Sequence, residues 1–110
     1  MLVDKNGNIS VITQEKATLV SLNARINAIY NEIANDNIVI VLNSLNGILG
    51  TQVSEFLQLS NTHRAANHSF VIVSNQVNID NVSDSLVIVP TLKEAYDLIE
   101  MEEMERDLGF

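Results

Sequence analysis

The chain has 110 residues, 46% of them hydrophobic and 18% charged; that is the length and composition of one ordinary globular domain, which excludes a two-domain reading, disorder and collagen-like order. Fourteen acids against six bases give a net charge of −8, which argues against a nucleic-acid backbone or an anionic membrane as the main partner. Cysteine is absent, so disulfides, thiolate metal sites and thiol nucleophiles are excluded, and no cofactor is expected from composition.

No stretch approaches the ~18 consecutive apolar residues of a membrane helix, and no basic end followed by an apolar block opens the chain, so a cytoplasmic protein is expected. Ile9-Ser10-Val11-Ile12 reads as a strand, paired in a hairpin with Leu2-Val3 across a tip at Asp4 to Gly7. From Thr18 onward, Leu19, Leu22, Ile26, Ile29 and Ile33 repeat at 3-4 spacing and predict a helix with one apolar face. Ile38 to Leu42 is an unbroken apolar run, as expected for a central strand covered on both faces. A loop with Gly47 and Gly50 follows. Thr51 to about Asn67 predicts a second helix, capped by Thr51, with Val53, Phe56, Leu57 and Leu59 on its buried side.

Phe70 to Val73 is a second buried strand. Ser74 to Ser85 is too polar and irregular for a helix, and Leu86 to Val89 is a short strand ended by Pro90. Thr91-Leu92-Lys93-Glu94 carries the Thr-x-x-Glu pattern that opens a third helix. The order of elements predicts an α/β domain, a mostly parallel sheet of four to five strands with three main helices packed on it. The 14 asparagines have no explanation at this level.

Catalytic constellations are missing. The Gly47-Ile48-Leu49-Gly50 loop lies where phosphates often bind, but it lacks the third glycine of a dinucleotide loop and the Lys-Ser/Thr pair of a P-loop. A strand-to-helix turn is the plain reading, and a nucleotide or other small molecule at Gly47 to Thr51 is the alternative. His63 and His68 are the two histidines; five positions apart on a helix they would diverge by about 140° and read as surface residues rather than zinc ligands. Asn78 to Asp84 offers oxygen ligands without the mid-loop Gly or terminal Glu of a calcium loop.

The C-terminal helix carries two apolar stripes. Leu92, Ala95, Tyr96 and Ile99 form the first, expected to pack on the domain's own sheet. Met101, Met104 and Leu108, with Phe110, form the second, rotated from the first. From Thr91 to Phe110 there are seven acids and two bases, a net of −5. The second stripe is either a solvated helix end or a docking face for a homodimer or a protein partner; the crowded acids make a basic partner the better cover than a second copy. Residues 101–110 read as an acidic extension of a single domain spanning 1–110, and their removal is expected to leave that domain folded.

Ile38-Val39-Ile40-Val41-Leu42, Gly50-Thr51, Phe56-Leu57-Gln58-Leu59, Phe70-Val71-Ile72-Val73 and Val89-Pro90-Thr91-Leu92-Lys93-Glu94-Ala95 together follow the order of a STAS domain. The chain resembles that family, shared by bacterial anti-sigma factor antagonists and the cytoplasmic tails of sulfate transporters, from Ile38 to Ile99, and Leu19 to Ile33 is similar to the family's first helix. The resemblance implies a non-enzymatic regulatory module that binds a protein partner, such as an anti-sigma-factor-like kinase, through the turn at Leu49, Gly50, Thr51 and Gln52. Thr51 stands where the family carries a phosphorylatable Ser, which makes it the candidate phosphosite, and Leu49 replaces the motif Asp. The helix normally found between the last two strands is missing from so short a connection, so the chain looks like a shortened, divergent relative. An accessory subunit of another enzyme is a further alternative. Short bacterial chains with a similar ending have been labelled ribonuclease Z, but that activity needs a His-x-His-x-Asp-His zinc motif that His63 and His68 do not supply.

Overall fold

A computed structural model describes residues 2–13, 19–42, 53–75 and 85–109. Strands β1 (Leu2–Asn6) and β2 (Ile9–Thr13) form a hairpin, followed by helix α1 (Leu19–Ile33) and strand β3 (Asn37–Val41). A 3₁₀ turn (Ser54–Phe56) then leads into helix α2 (Leu57–Ala65) and strand β4 (Phe70–Val73). A two-residue strand β5 (Ile88–Val89) and helix α3 (Leu92–Asp107) complete the described elements. The sheet runs β1-β2-β3-β4-β5, so β3 is its central strand.

The sheet is mixed, which corrects the expectation of a mostly parallel one: β1 pairs antiparallel with β2, and the other three pairs are parallel. The hairpin also turns later than expected. β1 continues through Asp4 and Lys5 to Asn6, and the reversal falls on Gly7-Asn8. Gly7 has φ +62° whereas Asn8 is not in the left-handed region, the type II′ arrangement that matches strand twist. Leu86 and Val87 fall outside the last strand, which is reduced to Ile88–Val89.

Side-chain alternation along the parallel strands sorts two cores of different size. Ile12, Ile38, Ile40, Phe70 and Ile72 face one side with Leu22 and Ile26 of α1 and Phe56 and Leu59 around α2. Val11, Val39, Val71 and Val73 face the other, against Ala95 and Ile99 of α3. Bulky residues thus lie under two helices, and valines lie under one. Strands advancing in one direction across the sheet place both crossover helices on the same face, which leaves the opposite face to α3. The 3-4 spacing of α1 is realised in Leu22, Ile26 and Ile33, all buried, with Ile29 partly buried beside them.

α3 positions the polar features described below. Thr91 caps it: its Oγ1 accepts from the Glu94 N–H at 3.2 Å. The helix starts just past the C-terminal end of β5 and packs back along β4 and β3. Sixteen residues span about 24 Å at the helical rise, whereas a five-residue strand spans about 16 Å. Its last turns therefore reach the N-terminal edge of the parallel strands.

Candidate functional site

In a parallel sheet, ligands usually bind beyond the C-terminal strand ends. Here that edge leads into residues 14–18, 43–52 and 76–84, which lie outside the described residues, as do Leu49, Gly50, Thr51, Gln52 and Phe110. The Thr51 cap, the Gly47 to Thr51 alternative and the connection between the last two strands therefore remain expectations. The polar chemistry of the described residues gathers at the opposite edge, on the residues that open β2, β3 and β4.

Asn37, at the start of β3, is buried; its Oδ1 accepts the Ser69 backbone N–H at 2.8 Å, and its Nδ2 donates to Glu103 Oε1 at 2.5 Å. Asn8 Nδ2 donates to the same carboxylate oxygen at 2.5 Å. Beside them, Ser69 Oγ donates to Glu102 Oε1 at 2.6 Å. Arg64 donates from Nη1 to Glu102 Oε2 and from Nη2 to the Phe70 carbonyl, both at 3.0 Å. Arg106 reaches Ser69 Oγ at 3.2 Å and Asn37 Oδ1 at 3.4 Å. Three residues of α3 thus clasp the first residues of neighbouring strands and the end of α2.

The α3 residues of this clasp lie within 101–110, the segment expected to be dispensable for folding. α3 runs unbroken as far as Asp107, and Glu102, Glu103 and Arg106 hold groups of the domain proper. Leu92, Ala95, Ile99, Glu102 and Arg106 follow one another at 3-4-3-4 spacing, so they share one helical face. That face changes from apolar to polar where the helix passes the end of the sheet. The spacing was visible in the sequence, but only the fold shows that Asn37 and Ser69 lie opposite it.

A second buried cluster surrounds His63, which is fully buried, contrary to its reading as a surface residue. Nε2 lies 2.6 Å from the Asp36 carbonyl, and Nδ1 lies 2.7 Å from the Tyr30 hydroxyl. A carbonyl only accepts, so the network assigns the proton to Nε2, and the tyrosine donates to Nδ1. Burial, first, and then the neighbouring His68 and Arg64 hold the His63 pKa below its usual value, with the bond to Asp36 working the other way. Burial likewise raises the Tyr30 pKa, keeping the phenol protonated as the donor role requires. His68 does not diverge from His63: their rings stack with centroids 5.1 Å apart. The 140° separation presumes a continuous helix, whereas α2 ends at Ala65 and Asn67 turns the chain back with φ +67°. The Asp36 carboxylate completes the cluster by accepting from Ser10 Oγ at 3.0 Å and pairing with Lys5 Nζ at 3.2 Å.

The imidazole, the phenol and the Asp36 backbone carbonyl of this second cluster are engaged in tying α1, α2 and the start of β3 together, and the hydroxyl that touches the imidazole, that of Tyr30, donates to it as a protonated phenol. No group of three or more His, Asp or Glu among the described residues could hold a metal ion, and none of the described helices is long and apolar enough to cross a membrane. The second stripe of α3, in contrast, is open: Met101, Met104 and Leu108 are 48%, 56% and 72% exposed. The exposed acids Glu94, Asp97, Glu100 and Glu105 lie on the same half of the helix at 100° per residue. Lys93, the one base there, is 2.9 Å from Asp97. The sequence matches no model of a known family and no curated protein.

Proposed function

We propose that the protein is a non-enzymatic regulatory module that docks a basic amphipathic helix of a protein partner on the outer face of α3. The observation that carries this reading is the exposed Met101, Met104 and Leu108 stripe set among exposed carboxylates, of which Asp97 is paired with Lys93. Flexible thioethers adapt to an apolar ridge, and the surrounding acids favour lysines and arginines at its margins. The same acids oppose a second copy, which would bring two −5 segments together. The clasp on the inner face holds the helix firmly enough to present the outer one.

The STAS-like resemblance supports the same class of function and adds the turn at Leu49 to Gln52 as a second contact, with Thr51 as its phosphorylation point. A phosphate there would change that contact by about −2 charges, so Thr51→Glu is expected to weaken partner binding that depends on the turn.

Fluorescence anisotropy with a labelled Leu/Lys amphipathic peptide, alongside light scattering of the protein alone, tests the α3 reading. Saturable binding that weakens with salt and is lost in Met101→Ser/Met104→Ser, with the melting temperature kept, is the expected result. Equal binding of a Leu/Glu peptide, undiminished binding by the double variant, or a dimer that Met104→Ser dissociates would overturn it.

A further inference from the structure

Beside the clasp lies a polar cleft of about 380 Å³, lined by Asn8, Asn35, Asn37 and Asn67 together with His68, Glu103, Arg106 and Asp107. We propose that this cleft binds a small, uncharged, hydroxyl-rich molecule of the size of a single sugar ring. The inference is independent of the protein-docking role of α3.

Four of the 14 asparagines meet here from the openings of three strands: Asn8 before β2, Asn35 before β3 and Asn37 as its first residue, and Asn67 before β4. Part of the lining is already fixed, since Glu103 Oε1 holds Asn8 and Asn37, and Arg106 donates to Asn37 and Ser69. Another part is not: the side chains of Asn35, Asn67 and Asp107 make no hydrogen bond among the described residues. Hydrogen-bonded side chains beside unused donors and acceptors in one cleft are the arrangement that recognises a ligand with little further ordering.

Chemistry narrows the ligand. Two carboxylates and one guanidinium leave the lining net negative, which disfavours phosphates and other anions. The Arg106 guanidinium in the lining opposes a metal cation. The lining has no large apolar surface for a lipid or an aromatic ring, unlike most ligand pockets, and its volume sits at the small end of their range. Carboxamides offer a donor and an acceptor side by side, and vicinal hydroxyls present the same pair in return. The asparagine excess is thereby explained in part.

Amide-correlated NMR spectra recorded during titration with D-glucose, D-ribose, myo-inositol and, separately, sodium phosphate test the proposal. At least one polyol is expected to shift the Asn35 and Asn67 side-chain amides saturably, and Asn67→Gly/Asp107→Ala is expected to bind it roughly tenfold or more weakly, as the loss of two or three hydrogen bonds implies. Glycine suits the positive φ of Asn67, so Asn67→Gly alone serves if the double variant loses its native spectrum. No shift with any polyol, a shift with phosphate alone, or undiminished binding by the folded variant would overturn the proposal.

Discussion

His63 shows how one side chain makes a packing site sensitive to pH. It is buried as a neutral ring whose two nitrogens already have partners, so a second proton would displace the Tyr30 donor and place a charge in the interior. Its folded-state pKa lies below the 6.5 of the free group. The unfolded chain therefore takes up more protons between those two values, and stability must fall as pH drops through 6.5 toward the folded value. Urea midpoints measured from about pH 8 to about pH 5.5 should decline over that interval, and Tyr30→Phe at neutral pH should cost about 1–3 kcal/mol by leaving Nδ1 without a donor. A flat profile together with a neutral Tyr30→Phe would remove the assigned network. Asn67 supplies a second residue-scale test, because its φ of +67° suits Asn or Gly and penalises a β-branched residue. Asn67→Val should lower stability by about 1–2 kcal/mol in urea unfolding, while Asn67→Gly should be close to neutral.

Among the elements, β3 was more legible in the sequence than α3. Ile38 to Val41 needs no context to read as a buried strand, and Ile40 is indeed fully buried at its centre; Ile40→Asp should prevent folding or cost several kcal/mol, as judged by circular dichroism and soluble yield. α3 was legible only on its apolar side. Its acids looked alike in sequence, yet Glu102 is bound to Arg64 and Ser69 while Glu100 is exposed. Glu102→Ala should therefore destabilise by about 1–3 kcal/mol, since it strands a half-buried guanidinium, and Glu100→Ala should stay within about 0.5 kcal/mol of wild type. Equal effects in thermal unfolding would mean that the clasp contributes nothing. For the same reason, deleting residues 101–110 removes structural contacts as well as the exposed stripe, and point substitutions at Met101 and Met104 separate the two.

At the scale of the whole molecule, the fold follows from a few local patterns, and its polar features follow from what those patterns bring together. Helix spacing and unbroken apolar runs identify α1, β3 and β4 because each is a property of consecutive residues. The meeting of Asn8, Asn37 and Ser69 with the end of α3 depends on strand order and on a helix longer than the strands beneath it, neither of which any short window contains. The stacked histidines were hidden in the same way, by the end of α2 and the turn at Asn67. The result is a helix with two roles, one face closing the domain and the other open to solvent. The methionine methyl spectrum addresses that division most directly, because two of the three methionines, Met101 and Met104, lie on the open face. On titration with a basic amphipathic peptide, both methyl signals should shift together and saturate, while the Asn37 and Ser69 backbone amides at the clasp stay in place. Unmoved methyl signals, or a loss of the clasp resonances on binding, would contradict a fixed helix that offers its outer face to a partner.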